Sequence, residues 1–167
     1  ALEEGVRTIE HGALMTDDDV NLMLRKGAWL VSTQAVLFHP TGIEQGDARR
    51  PEIMAKLVQA RALVAETFPR VLRSGIPFAV GTDSMHGLMA FELEKLVEFG
   101  VAPGDALVAA TRRGAEVCRI ADTVGTLEVG KRADIIAVRG DPLRDIRTMY
   151  NVVFVMKAGQ RYDLSPI

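Results

Sequence analysis

Two short apolar runs, each ending on one potential metal ligand, constrain the fold of this chain more than any other feature. The first is Val6-Arg7-Thr8-Ile9-Glu10-His11-Gly12 and the second is Ile76-Pro77-Phe78-Ala79-Val80-Gly81-Thr82-Asp83-Ser84. Each reads as a buried strand that stops at a polar residue and passes through small residues into a helix. In a parallel α/β barrel, catalytic residues sit at such strand ends. An imidazole and a carboxylate brought together from two strand ends are zinc-ligand types. A third apolar run, Ala28-Trp29-Leu30-Val31-Ser32-Thr33, lies between them. Strand–helix–strand spacing and the right-handed crossover rule predict three parallel strands near 6–11, 28–33 and 76–82. His11 and Asp83 then share one face, at the C-terminal strand ends.

Helix signals fill the intervals. Thr16 is a suitable N-cap, and Asp17, Asp18 and Asp19 suit the positive end of a helix dipole. Arg25 and Lys26 complement the other end, and Gly27 stops the helix. Residues 34–51 read as a long loop rich in Gly, Pro and polar residues, a length usually associated with function. Met54, Leu57, Val58, Val64, Phe68, Val71 and Leu72 form the apolar stripe of a helix over 52–74, which Pro69 is expected to kink or split. A helix over 88–99 carries Met89, Leu93, Leu96 and Val97 on one side. Pro103 opens a further helix running to about Ile120.

After Ala121 the texture changes to short β segments with turns and no intervening helix. Strands are predicted at Thr126-Leu127, 133–138 and 152–156, with turns at 128–131, 140–142 and 157–160. A boundary is therefore placed near residue 121, between an α/β part (1–121) and a β part (122–167). A complete eight-stranded barrel needs about 200 residues or more, and this chain has 167. A net charge of −2 suggests neither a nucleic acid nor an anionic membrane surface as partner. The single cysteine, Cys118, excludes an internal disulfide framework and reads as a small buried hydrophobe. The N-terminal Ala1-Leu2-Glu3-Glu4-Gly5 lacks signal-peptide character and reads like the tail of a helix. A cytoplasmic location is the expectation.

Five segments in order carry a resemblance: Ile9-Glu10-His11-Gly12; Gly81-Thr82-Asp83-Ser84; Ala106-Leu107-Val108-Ala109-Ala110-Thr111; Gly125-Thr126-Leu127-Glu128-Val129-Gly130-Lys131-Arg132-Ala133-Asp134; and Gly140-Asp141-Pro142-Leu143. Together they resemble the amidohydrolase superfamily, in the branch of imidazolonepropionase and the metal-dependent Xaa-Pro and Xaa-Arg dipeptidases. The resemblance implies the C-terminal part of a TIM-like (β/α)8 barrel, strands six to eight, followed by part of a small β-sandwich. It also implies zinc or another divalent metal, as one or two ions, with His11 and Asp83 as ligands. It further implies that Asp83 doubles as the proton shuttle in hydrolysis of an amide or cyclic amide C–N bond, in a dipeptide or N-acyl amino acid. The family's ligands on the first, fourth and fifth strands have no counterpart here. The expected partners are therefore a missing N-terminal half or a partner chain, a small-molecule substrate and, in the intact protein, further copies of itself.

The chemistry accounts for the residue types. Zinc lowers the pKa of bound water to about 7 and polarises a carbonyl. A carboxylate beside it can accept the water's proton and pass it to the leaving amine. A catalytic zinc takes about three protein ligands, and two are visible here. Gln34, His39, Ser84 and His86 are candidate substrate contacts, with structural or solvated roles as the alternatives. Arg112 and Arg113 read as a solvated helix face, and Asp134 as a turn residue. Two other readings stay open: a non-catalytic α/β half-barrel scaffold or assembly module, and a small metalloprotein in which His39 or His86 completes a site with His11 and Asp83.

Overall fold

The computed structural model describes residues 1–45, 50–83 and 85–164. Three parallel strands form the first sheet: β1 (Thr8–Glu10), β2 (Trp29–Ser32) and β3 (Phe78–Val80), in the order β1-β2-β3. Ile9, Leu30 and Phe78 lie abreast in the register. They share a face because alternate side chains of a strand point the same way, and that face joins the main apolar core. The order and direction are those the spacing predicts. The sheet is a segment with two open edges, β1 and β3, among the described residues.

Helix α1 (Asp17–Lys26) crosses from β1 to β2. Its start is fixed locally, as predicted: the Thr16 hydroxyl accepts from the Asp19 N–H at 3.2 Å, and the Asp19 carboxylate accepts from the Thr16 N–H at 2.8 Å. This reciprocal pair satisfies two of the donors a helix start leaves open. The Thr16 hydroxyl, which donates to the Asp19 carboxylate at 2.6 Å, and the Thr16 N–H hold the Asp19 carboxyl below its ordinary pKa. Gly27, at φ 61°, ends the helix and returns its N–H to Leu24.

The segment expected to be a loop begins with a helical turn, α2 (Ala35–Phe38), and a 3-10 turn follows at Ile43–Gln45. The long helix α3 (Pro51–Arg73) then leads to β3. Pro69 does not split α3. One lost backbone bond and the ring clash cost about 3 kcal/mol. Against that, Phe68, Val71 and Leu72 on the same turn are buried, and each such side chain contributes about 1.5–3 kcal/mol. Val58, assigned to the apolar stripe, is exposed.

After β3 come α4 (Met89–Glu98), α5 (Pro103–Ala110) and α6 (Arg112–Val117). The single helix expected to about Ile120 is interrupted at Thr111, whose φ −119° and ψ −91° are not helical. Cys118 follows α6 and is exposed rather than buried. Arg112 pairs with Glu116 at 3.3 Å, while Arg113 pairs with Asp105 at 3.3 Å and lies 5.1 Å above the Phe78 ring. Edge-to-face contacts tie Phe99 to Phe38 and to Phe68, with centroids 5.8 and 5.7 Å apart.

A second, antiparallel sheet contains β4 (Ile135–Val138), β5 (Val152–Lys157) and β6 (Gln160–Tyr162). Thr126-Leu127 does not form a strand, and Leu127 is solvent-exposed. The β5–β6 hairpin turns at Ala158 and Gly159, both at positive φ, which suits the right-handed twist of the flanking strands. Asp134 accepts from the Ala158 N–H at 2.7 Å, the turn-fixing role its position suggested. A 3-10 turn, Ile146–Tyr150, packs against α4; Ile146 is buried, and the Tyr150 hydroxyl donates to Glu94 at 2.7 Å. No described helix is long and apolar enough to cross a membrane.

Candidate functional site

His11 and Asp83 follow the C-terminal ends of β1 and β3, and both line one cavity of about 350 Å³. Its other walls are Ala13, Thr33, Gln34, Val36, Leu37 and Ile43. The parallel order places β2, and therefore Thr33 and Gln34, between the two strand ends.

The backbone at both residues is unusual. Among the described residues, four non-glycine positions have positive φ, and two of them are His11 (69°) and Asp83 (53°). His11 is the centre of a three-residue turn: the Gly12 N–H donates to the Glu10 carbonyl at 2.9 Å. With positive φ at its centre this is the rarer, strained form of such a turn. The His11 N–H donates to the Val31 carbonyl at 3.0 Å, so the turn is anchored to β2. Gly12 is also left-handed, and a Cβ there would run into the Leu30 side chain. Beside β3, the Met85 N–H returns to the Thr82 carbonyl at 2.9 Å, closing a turn with Asp83 as its first central residue. Strained backbone of this kind costs about 1–3 kcal/mol per residue and concentrates at functional sites.

The His11 Nδ1 lies 2.5 Å from the Thr33 hydroxyl. A hydrogen bond to one ring nitrogen fixes the ring's orientation and directs the other nitrogen elsewhere. His11 and Asp83 are both exposed, whereas Ser32, Thr33 and Gln34 between them are buried.

The remaining candidates fall in different places. Gln34 lines the cavity. His39 closes α2, with Nδ1 2.7 Å from the Thr41 hydroxyl and its ring edge-on to Phe91, and it is not among the residues lining the cavity. His86 is exposed in the loop before α4. Ser84 lies outside the described residues. Among those residues no three His, Cys, Asp or Glu side chains converge as a metal-binding group, so neither His39 nor His86 completes a three-ligand set with His11 and Asp83.

Sequence reasoning missed two neighbours of the site. One is Thr33. The other is Glu92 on α4, fully buried, whose carboxylate accepts from the Gln34 N–H at 2.7 Å and from the Ala35 N–H at 2.5 Å. Burial lifts the Glu92 carboxyl to about 7, and the two amide donors oppose that rise. Both oxygens face N–H donors, which favour the ionised form, while burial favours the neutral one and outweighs them. A signal existed: Glu92 interrupts the apolar stripe of α4, beside Leu93 and four residues before Leu96.

The amidohydrolase family pattern matches residues 1–162. Ochratoxinase of Aspergillus niger is 30% identical over 168 residues, covering 97% of this chain and 35% of that protein. The crystal structure of an Xaa-Pro dipeptidase with methionine bound in its active site superposes with a TM-score of 0.86 at 34% identity, over 98% of this chain and 41% of that one. A prolidase in complex with N-methylphosphonate-L-proline gives a TM-score of 0.78 at 28% identity, over 99% of this chain and 42% of that one. The chain thus spans about a third to two-fifths of the length of these relatives. With a parallel β-α segment that presents a histidine and an aspartate on one cavity, and with the family pattern matching nearly its whole length, this chain belongs to the amidohydrolase family.

Proposed function

We propose that this chain is the C-terminal part of a metal-dependent hydrolase of amide or cyclic amide C–N bonds. Residues 1–121 supply the last three strands of the barrel and their helices, and residues 122–167 part of the adjoining β-sandwich. The observation that carries this reading is the placement of His11 and Asp83, both on left-handed backbone at the ends of parallel strands, on one cavity. The Xaa-Pro dipeptidase and the prolidase among the similar structures favour an Xaa-Pro dipeptide as substrate, and the sequence resemblance adds an N-acyl amino acid.

The donor set fits zinc or a similar divalent ion. Imidazole nitrogen and carboxylate oxygen suit such a metal, and both reach the cavity. His11 and Asp83 are two ligands, so the others come from outside this chain. When bound, the metal polarises the scissile carbonyl and makes water acidic enough to ionise near neutral pH. Asp83 then takes the proton that water releases and returns it to the departing amine. Its exposed position at the cavity wall gives the carboxylate room for both transfers. Gln34 on the cavity wall contacts substrate; Ser84, His39 and His86 are kept as substrate contacts on the sequence alone.

The test is kinetic. In the intact protein, Asp83→Asn removes the proton acceptor while keeping the size of the side chain. Its kcat toward an Xaa-Pro dipeptide or an N-acyl amino acid should fall about 100-fold or more, with the melting temperature unchanged. Near-normal turnover by that variant rejects the proposed role of Asp83.

A further inference from the structure

Glu92 has no part in the chemistry above, yet its burial is costly and its contacts lead to the site. Its carboxylate lies in the interior, 57 and 58 residues along the chain from the two N–H groups it accepts. Those N–H groups, of Gln34 and Ala35, stand at the start of α2, where no intrahelical acceptor is available. A short local cap could satisfy them without burying a charge. The acceptor instead comes from α4, the helix that follows the Asp83 loop, so it ties the end of β2 to the element after β3.

We propose, on the reading that His11 is a metal ligand, that Glu92 is a positioning residue for His11, acting through the 33–35 backbone and the Thr33 hydroxyl. Gln34 is held from behind by Glu92, and Thr33 immediately before it is buried, with its Oγ1 2.5 Å from His11 Nδ1. His11 Nε2 offers a lone pair to a metal only when Nδ1 carries the ring proton. Thr33 accepts that proton's hydrogen bond and so selects the tautomer, and Glu92 keeps the Thr33 oxygen at the required place. His11 also sits on strained backbone, so its ring direction depends on this lateral support. Outer partners of this kind typically carry 10- to 100-fold in metal affinity.

The experiment uses the intact protein and two readouts: the zinc dissociation constant by chelator competition, and the ¹⁵N resonances of the His11 ring in metal-free protein. E92Q places an amide donor against a backbone donor, and T33V deletes the hydroxyl at constant shape. Each should weaken zinc binding about 10- to 100-fold and shift the ring away from the Nδ1–H tautomer. T33S should restore both readouts. In a T33V background, E92Q should add less than about twofold, because the two residues act through one route. Replacement of Ala35 by lactic acid removes one N–H donor and leaves every side chain in place. It is the second variant should E92Q not fold, and it should move both readouts in the same direction. Unchanged zinc affinity and an unchanged His11 ring, whatever the shift in melting temperature, would reduce Glu92 to a helix cap and overturn the proposal. Multiplicative losses in the double variant would overturn it too. If His11→Ala leaves zinc affinity intact, the assignment of His11 as ligand fails instead, and the ring resonances of the metal-free variants still decide the role of Glu92.

Discussion

Replacing Glu92 by glutamine should change how stability depends on pH, with a magnitude set by burial. Desolvation raises the Glu92 carboxyl from 4.5 to about 7 in the folded protein. At about 1.4 kcal/mol per pH unit, that difference corresponds to about 3 kcal/mol. The sign follows from proton binding. Between pH 4.5 and 7 the folded protein retains a proton that the unfolded chain has lost, so folding is favoured most below 4.5. The contribution is lost as pH rises through 7 and is constant above it. Glutamine at 92 has the same shape and no charge to desolvate. The stability of E92Q relative to wild type should therefore improve by about 3 kcal/mol between pH 4.5 and 8. At low pH the variant and the protonated wild type both place a donor against a backbone N–H and should differ little. Denaturant midpoints of the two proteins, measured at matched pH across this range, give the difference directly, and contributions from all other titrating groups cancel in it. A difference that does not change with pH would mean that the Gln34 and Ala35 amides fully offset desolvation, and would refute the reasoning.

Two further outcomes are expected. Phe68→Ala empties a fully buried position against Phe99 and should cost about 3–5 kcal/mol, read from the same midpoints; a loss below about 1 kcal/mol would show that the core collapses freely around it. Residues 1–167 expressed alone should be oligomeric or poorly soluble and without hydrolytic activity, because β1 and β3 leave sheet edges unpaired among the described residues; a monodisperse, cooperatively melting monomer in light scattering and calorimetry would contradict this.

What was legible in the sequence was what is decided locally. The start of α1 depends on Thr16 and Asp19, three residues apart. The three strands are announced by their apolar runs, and their parallel order by the helices between them. What was not legible depended on distant partners. Helix α3 passes Pro69 because Phe68, Val71 and Leu72 meet a core assembled from other elements. The break at Thr111 carries no glycine or proline at that position to announce it. Cys118 is exposed because the helix expected to bury it ends at Val117. At the site, His11 and Asp83 were readable as strand-end residues, whereas Thr33 resembled an ordinary strand terminus. Glu92 gains its meaning only once α4 lies behind the Gln34–Ala35 backbone, a juxtaposition that no local pattern encodes.

The central claim is that His11 and Asp83 hold a metal at the ends of β1 and β3. Anomalous diffraction at the zinc edge from crystals of the intact protein grown with zinc tests it most directly. The account predicts a peak on the cavity wall, about 2.0–2.2 Å from His11 Nε2 and from an Asp83 carboxylate oxygen, with the remaining ligands from outside this chain. A fully occupied zinc elsewhere, with His11 and Asp83 both outside its coordination sphere, would contradict it.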